Sequence, residues 1–187
     1  MTAAGRAWPS RPPDHLLDLA EWEALPEDDS ARYELVEGVM VVSPRPVFRH
    51  QDIVFELCRQ LRDHLAEGLT ALPEVELVVD DGGGGGPATV RVPDLVVVPV
   101  SLVPERARAV AGDVVAVLEV LSPGTRRTDR VAKLAEYAEV GIAHYVIVDP
   151  EGPISEFVLD GHAYRPVATH HQRAVLAFGP TIALPSP

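Results

Sequence analysis

Hydrophobic and polar positions recur along the chain with two periods, and each period predicts a different kind of element. From Val47 to about Glu67 the apolar residues return at helical spacing, which predicts a long amphipathic helix. Shorter helices are predicted for the segment that begins with a cap at Asp14 and for TDRVAKLAEYAEVG, where Thr128 or Asp129 is the predicted cap. The remaining short apolar runs lie between turn residues and predict strands.

The strand signals describe a mixed sheet. YELVEGVMVVSP predicts a hairpin that turns at Glu37-Gly38, and ISEFVLDGHAYRPVA predicts another that turns at Asp160-Gly161. A strand, helix, strand unit runs from Val114 to Asp149 and predicts parallel pairing through a right-handed crossover. The predicted class is therefore α/β or α+β, with one central mixed β-sheet flanked by helices.

Length and composition limit the class of protein. The 187 residues, 47% hydrophobic and 24% charged, suit one globular domain with its own core. We interpret residues 1–13, rich in proline and small residues, as a disordered leader and residues 14–187 as a single domain. No apolar run approaches the roughly 18 residues that a membrane helix needs, and the one cysteine, Cys58, cannot form an internal disulfide. These features predict a cytoplasmic protein that does not enter membranes.

The charge balance argues against broad attraction to nucleic acid. The formal net charge is -12, from 28 acidic residues against 16 lysines and arginines. Net charge does not exclude local basic groups, and a phosphate-contacting groove on an acidic body stays open. Two such groups are present: Arg126, Arg127, Arg130 and Lys133, and Arg45, Arg49 and His50.

Two acids stand at the ends of apolar strands. Glu119 lies within VVAVLEVL, where an ionised, unpaired carboxylate would cost several kcal/mol, so it must be neutralised, paired or bound to a metal. One interpretation is a salt bridge to an arginine that follows the strand. The other involves Asp94 in RVPDLVVV, because two carboxylates that converge on a sheet edge form an oxygen site for Mg²⁺ or Mn²⁺.

The helix that follows the Glu119 strand supplies a base. Lys133 and Tyr137 are four residues apart and share a face that flanks the apolar stripe of the predicted helix. From this border the Lys133 ammonium can reach back over the end of the strand. The alternative is a surface lysine whose alkyl stem lies along apolar surface while the charge stays in water.

These residues resemble a known family. YELVEGVMVVSPRP, RHQ, VPDLVVV, VLEVLSPGTRRTDRVAKLAEYAEVGIAHYVIVDP and DGHAYRPVA follow, in order, the pattern of the Uma-two family of the PD-(D/E)XK, restriction-endonuclease-like superfamily. The resemblance runs from about Leu16 to Leu184, and its most specific block is Val117 to Asp149. It implies a restriction-endonuclease-like core and a metal-dependent endonuclease.

The resemblance also implies roles for particular residues. Asp94 takes the place of the acid of the PD element, and Glu119 that of the second acid, as ligands of Mg²⁺ or Mn²⁺. A strict E-x-K motif would place lysine at position 121, where this chain has Leu121, so the resemblance assigns the lysine role to Lys133. Glu34, in YELVEG, resembles the auxiliary acid that members of this superfamily often supply from an element near the N-terminus of the domain.

The remaining implications concern the substrate. The resemblance predicts cleavage of nucleic acid, with DNA favoured over RNA, and a homodimer, because cutting both strands of a duplex needs two sites. The missing lysine at position 121 and the charge of -12 favour the alternative, a catalytically silent nucleic-acid-binding or protein-interaction module on the same fold. The predicted nucleic-acid contacts are Arg126, Arg127, Arg130, His50 and Tyr137; for the arginines a solvated loop, and for His50 a surface position, are the alternatives.

Overall fold

The computed structural model describes residues 13–26, 28, 30–104, 106–122, 124, 126 and 128–185. The chain divides into two compact units, Met1–Arg45 with Val78–Val92 and Pro46–Leu77 with Pro93–Pro187. Apart from Pro13, the predicted leader lies outside the described residues, and the interpretation of residues 14–187 as one domain stays a prediction.

Strands dominate the described part of the chain, with helices placed between them. In chain order the elements are α1 (Leu19–Glu23), β1 (Arg32–Val36), β2 (Val39–Ser43), α2 (Phe48–His64), β3 (Leu69–Pro73), β4 (Leu77–Asp80), β5 (Thr89–Arg91), β6 (Leu95–Pro99), β7 (Ala109–Val110), β8 (Ala116–Val120), α3 (Lys133–Glu139), β9 (His144–Val148), β10 (Pro153–Asp160), β11 (Ala163–His171), β12 (Arg173–Val175) and β13 (Thr181–Ala183).

The first unit is built on a hairpin. Strands β1 and β2 pair antiparallel, which confirms the predicted hairpin, and the strand order continues as β2-β1-β5-β4. Both turn residues have positive φ, 49° at Glu37 and 78° at Gly38. A Cβ at Gly38 would lie 2.7 Å from Leu16 Cβ, so the turn requires glycine both for its conformation and for its close packing.

The first helix begins later than its predicted cap at Asp14. The observed N-cap is Asp18, whose Oδ1 accepts a hydrogen bond of 2.8 Å from the Glu21 backbone N–H. Glu21 Oε2 accepts in return from the Asp18 backbone N–H at 3.2 Å, which completes a capping box. Asp14 has leucine three residues later, so it lacks the reciprocal partner that selects Asp18.

The second unit contains a mixed sheet in the order β11-β10-β9-β8-β6-β3. Strands β8 and β9 are parallel, whereas β3 with β6, β6 with β8, β9 with β10 and β10 with β11 are antiparallel. The predicted mixed sheet is confirmed, but the described strands are divided among three sheets instead of forming one, because the N-terminal hairpin pairs with β5 in a sheet of its own. The C-terminal segment adds a separate antiparallel hairpin, β12 with β13.

Helix α2 covers one face of this sheet. Its apolar stripe, including Ile53, Leu57 and Leu61, packs in one cluster with residues of β6, β8 and β9. The helix ends at His64, three residues before the predicted end near Glu67, because Leu65 is already extended, with ψ of 151°. None of the described helices is long and apolar enough to cross a membrane.

The crossover helix starts with a widened turn. A single helix capped at Thr128 or Asp129 is not what forms, because residues Thr128–Ala132 make a π-helical turn that leads into α3. The Tyr145 hydroxyl donates to the backbone carbonyl of Asp129 at 2.9 Å, which gives that carbonyl a partner outside the helix. The Asp129 side chain is buried, with its Oδ1 3.3 Å from the Lys133 ammonium. Such turns are frequent at functional sites.

Candidate active site

Glu119 points to the opposite face of the sheet from α2. Neighbouring side chains of a strand alternate between faces, and Leu118 and Val120 belong to the α2 core cluster while Glu119 does not. Its face is covered by α3, where the rings of Tyr137 and Tyr145 meet edge to face with centroids 5.4 Å apart. The Glu119 carboxylate is therefore enclosed between a sheet and a helix.

Lys133 neutralises this enclosed acid. Its ammonium lies 2.8 Å from Glu119 Oε1 and 3.3 Å from Asp129 Oδ1, and the Tyr137 hydroxyl donates to Glu119 Oε1 at 3.2 Å. Glu119 and Lys133 are only 2% and 4% exposed. Burial raises the pKa of Glu119 to about 8, and the nearby Lys133 ammonium opposes the rise. The predicted reach of Lys133 over the strand is confirmed, and the surface alternative is wrong.

The identity of this base is distinctive. Lys133 is the chain's only lysine, since the other 15 of its 16 lysines and arginines are arginine. A compact ammonium fits a small, buried point between carboxylates, whereas a guanidinium is broad and planar. The one place where this sequence uses lysine is thus the enclosed position beside Glu119.

Asp94 joins the cluster from the neighbouring strand. Leu95 and Leu118 are paired across β6 and β8, so Asp94 lies opposite Glu119 at the next step of the antiparallel register. The Asp94 backbone N–H donates to Glu119 Oε2 at 3.4 Å, and Asp94 Oδ2 accepts from the Val120 backbone N–H at 2.8 Å. The structure brings the two predicted acids and Lys133 into one buried cluster, which we call the Asp94–Glu119–Lys133 cluster.

His50 enters the same cluster from the first turn of α2. Its Nε2 lies 3.2 Å from Asp94 Oδ1, and the side chain is almost fully buried. Neither ring nitrogen makes a hydrogen bond of good geometry. The surface alternative for His50 is wrong, because the ring is enclosed beside one of the two acids.

The cluster contains the kinds of ligand atoms that bind a divalent cation, although these atoms do not converge on one point. Among the described residues, no three His, Cys, Asp or Glu side chains converge closely enough to hold an ion as they stand. The carboxylates of Asp94 and Glu119 are hard oxygen donors on adjacent strands, and the buried His50 ring has nitrogens without a hydrogen-bond partner. The chemistry of this donor set fits Mg²⁺ or Mn²⁺.

Tyr137 is placed inside the cluster and not at the surface. It has no exposed area, and its hydroxyl donates to Glu119. The predicted contact between Tyr137 and nucleic acid has no surface to support it in this arrangement. Its observed position makes Tyr137 a support for the Glu119 carboxylate.

The predicted phosphate-binding arginines are held by an acid that the sequence reasoning missed. Asp149 directly follows β9, and its carboxylate accepts hydrogen bonds from Arg126 at 2.8 and 3.2 Å and from Arg130 at 3.4 Å. Arg127 lies outside the described residues. The signal for Asp149 was present in VIVDP, an acid at the end of an apolar strand like Asp94 and Glu119.

Glu34, the predicted auxiliary acid, lies in the first unit. Its Oε2 is 3.1 Å from Arg91 Nη1, and its Oε1 accepts from the Val92 backbone N–H at 3.0 Å. Both Glu34 and Arg91 are buried. The acid is therefore part of a buried ion pair within its own unit.

Open space lies beside the start of α2. A cavity of about 420 Å³ is lined by Arg49, Gly152 and His171, among others. Two of these residues neighbour residues described above, because Arg49 precedes His50 in the chain and Gly152 packs against Asp149. Its size is that of an ordinary ligand pocket.

The fold and the cluster together define a restriction-endonuclease-like protein: a mixed sheet carries two acids on adjacent strands, and the following helix returns a lysine to them. The chain belongs to the Uma2 family, whose model, described as "Putative restriction endonuclease", matches residues 19–184. The resemblance to this family that the sequence motifs indicated is confirmed. Comparison with curated proteins gives no match.

A solved structure shares the fold. It is described as the "Crystal structure of a putative nuclease belonging to DUF820 from Anabaena variabilis ATCC 29413", and it is 18% identical to this chain with a TM-score of 0.58. The match covers 86% of this chain and 88% of that one. The predicted fold class is confirmed by this likeness.

Proposed function

We propose that this protein is a metal-dependent endonuclease that hydrolyses phosphodiester bonds in nucleic acid, with DNA favoured. The supporting observation is the Asp94–Glu119–Lys133 cluster, where two acids and a lysine meet at very low solvent exposure. Burying three such charges is costly unless they serve each other or a ligand. The family description supports cleavage of nucleic acid, and the word restriction in it supports DNA.

The residues of the cluster take separate roles in this proposal. Asp94 and Glu119 would hold Mg²⁺ or Mn²⁺, which when bound polarises a phosphate and lowers the pKa of a coordinated water. Lys133 would stabilise negative charge that develops on the phosphate oxygens. Tyr137 and His50 would orient Glu119 and Asp94, because each lies within 3.2 Å of one of these carboxylates.

Other residues would bind the nucleic-acid backbone. Arg126 and Arg130 are held by Asp149 after β9 with part of each side chain exposed, and Arg49 lines the cavity beside the start of α2. Phosphate contacts of this kind position a nucleic acid without reading its sequence. From the family resemblance we assign Arg127 to the same role and Glu34 to the role of the family's auxiliary acid.

One observation favours a second candidate, a catalytically silent binding or interaction module. The Glu119 carboxylate already receives the Lys133 ammonium and the Tyr137 hydroxyl, so a metal is not needed to neutralise it. In that case the cluster would serve stability alone.

A cleavage assay separates the two candidates. Wild-type protein is expected to cut supercoiled plasmid DNA in Mg²⁺ or Mn²⁺, and not after EDTA is added. Asp94→Asn removes an oxygen charge but keeps the shape, and it is expected to slow cleavage by at least about a hundredfold. The matched control is Asp52→Asn, which neutralises an exposed acid of α2 and should cut as the wild type does.

The same assay with a folded single-stranded RNA ranks the two substrates. Cleavage that persists in EDTA, or that is equal in wild type and Asp94→Asn, would contradict the metal-dependent mechanism. Absence of cleavage of either substrate by the wild type in both metals would leave the silent module as the better account.

We also propose that residues 14–187 work as one domain, as a cytoplasmic homodimer. The buried, free Cys58 agrees with a reducing compartment. Two-fold symmetry would supply one site for each strand of a duplex. Sedimentation equilibrium at micromolar concentration is expected to give about twice the 20.2 kDa chain mass. A single species of 20.2 kDa, also with duplex DNA present, would contradict the dimer.

A further inference from the structure

Asp149 gathers two arginines on one buried carboxylate. Its Oδ2 accepts from Arg126 Nη1 at 2.8 Å and from Arg130 Nη2 at 3.4 Å, while Oδ1 accepts from Arg126 Nη2 at 3.2 Å. The Glu151 backbone N–H also donates to Oδ1, at 3.2 Å. The contact with Arg126 is two-pronged, which sets the plane of its guanidinium as well as its position.

The loop after β9 is shaped around this carboxylate. A Cβ at Gly152 would lie 3.0 Å from both Cγ and Oδ2 of Asp149, so the loop passes too close for any larger residue to fit without a shift. The Asp149 side chain is only 8% exposed. Its position is therefore set by the loop, and it in turn sets the positions of the arginines.

The pair of Arg126 and Arg130 retains positive charge and N–H donors that can bind a ligand. Two guanidiniums share one carboxylate, which leaves one net positive charge, and the Arg126 and Arg130 side chains are 44% and 45% exposed. Each guanidinium has five N–H donors, and Asp149 occupies only some of them. A long side chain that is already held in place loses less conformational entropy when it binds phosphate.

The pair also stands close to the cluster along the sheet edge. Strands β8 and β9 are parallel, with Glu119 opposite Ile147 and Val120 opposite Val148. The Leu121 backbone N–H donates to the Val148 carbonyl at 2.8 Å, immediately before Asp149. The arginines thus lie one strand away from Glu119, at the same ends of the strands.

From this geometry we propose that Asp149 is a positioning residue that holds Arg126 and Arg130 as a preformed pair for a backbone phosphate next to the scissile one. The inference rests on the proposed function, because it needs a nucleic-acid substrate. A carboxylate that only masked the arginines, or only tied the loop to the strand, would have the same contacts. These roles differ in what happens to binding when the charge of Asp149 is removed.

The test measures binding without cleavage. A fluorescein-labelled DNA duplex is titrated in EDTA at several salt concentrations with wild type, Asp149→Asn and Glu151→Gln. Simple electrostatics predicts that loss of either carboxylate tightens binding of a polyanion, by up to about twofold. Positioning instead predicts that Asp149→Asn binds about five- to tenfold more weakly, with the slope of log Kd against log salt reduced by about 1 to 2. Glu151→Gln, an exposed acid two residues away, should bind equally or more tightly.

A second variant, Arg126→Gln, shows whether weaker binding comes from the loss of the arginine pair or from a folding defect of Asp149→Asn. Arg126→Gln leaves Arg130 on Asp149 and changes a partly exposed side chain, so its melting temperature should stay close to that of the wild type. It is expected to reproduce most of the loss in affinity, and adding Asp149→Asn to it should cost at most about twofold more. Tighter binding by Asp149→Asn, or unchanged binding by Arg126→Gln, would overturn the positioning role.

The outcome also separates this inference from the proposed function. Wild-type binding without cleavage in any metal, together with weaker binding by both variants, would remove the endonuclease and keep the arginine pair. Wild type that binds neither duplex DNA nor RNA would overturn both proposals.

Discussion

Replacing Lys133 with methionine is expected to lower the free energy of unfolding by about 3–5 kcal/mol, the usual cost of breaking a buried ion pair by removing one partner. Methionine keeps the length of the side chain but removes the ammonium that lies 2.8 Å from Glu119 and 3.3 Å from Asp129. Both acids are almost fully buried, so water cannot replace the lost charge. Urea unfolding at pH 9, above the Glu119 pKa of about 8 so that the carboxylate is ionised in the wild type, measures the change.

A double variant identifies the cause of this loss. Adding Glu119→Gln to Lys133→Met removes the stranded charge while the Tyr137 hydroxyl can still donate to the amide oxygen. The double variant is therefore expected to be more stable than Lys133→Met alone by about 2 kcal/mol. Equal stability of the two would mean that the ion pair contributes little and that packing of the lysine stem is what matters.

The second large effect concerns Glu119 and the metal. Glu119→Gln is expected to abolish Mg²⁺ binding at the cluster and to slow DNA cleavage by at least about a thousandfold, because it removes one of the two proposed ligand charges. Glu156→Gln is the matched control: Glu156 is also a strand glutamate of 2% exposure in the same sheet. Its carboxylate accepts from the Ala177 N–H, and burial raises its pKa, so a neutral amide can take its place.

The single lysine provides a readout that does not depend on activity. In protein labelled with carbon-13 lysine, only Lys133 gives side-chain signals. Mg²⁺ is expected to shift its ε-carbon resonance and Mn²⁺ to broaden it, in the wild type and in Glu156→Gln but not in Glu119→Gln. A response that persists in Glu119→Gln would show that Glu119 serves only as the partner of Lys133, and would favour the silent module.

The centre of the site could be predicted from the sequence because the energetic cost of a buried, unpaired charge is visible there. An acid within VVAVLEVL has no local partner, and the same is true of Asp94 before LVVV, so both had to meet something from elsewhere in the fold. The family resemblance and the helical spacing then pointed to Lys133, which the structure places at Glu119. The lysine content of the chain was a further signal, because Lys133 is its only lysine and the other 15 of these basic residues are arginine.

Other residues could not be assigned without the fold. Asp149 follows the same pattern as the other two acids, but nothing local shows that it receives Arg126 and Arg130 from a loop some twenty positions earlier. The sequence pattern placed Tyr137 on a flanking face of the helix, but in the structure its side chain is fully buried between Glu119 and Tyr145. The π-helical turn before α3 likewise involves a residue distant in sequence, because Tyr145 on the next strand donates to the Asp129 carbonyl.

Periodicity and the cost of a buried charge are local properties, so the residue pattern was enough to predict strands, the long helix α2, the parallel unit around α3 and the acids Asp94 and Glu119, and the family resemblance added Lys133. The partners of these residues follow from the tertiary structure: Lys133 with Asp129 as well as Glu119, His50 with Asp94, and Asp149 with its arginines. A charged residue within an apolar strand must have a partner in the fold. Which residue becomes that partner is decided when segments that are distant in sequence fold against the same ends of the strands.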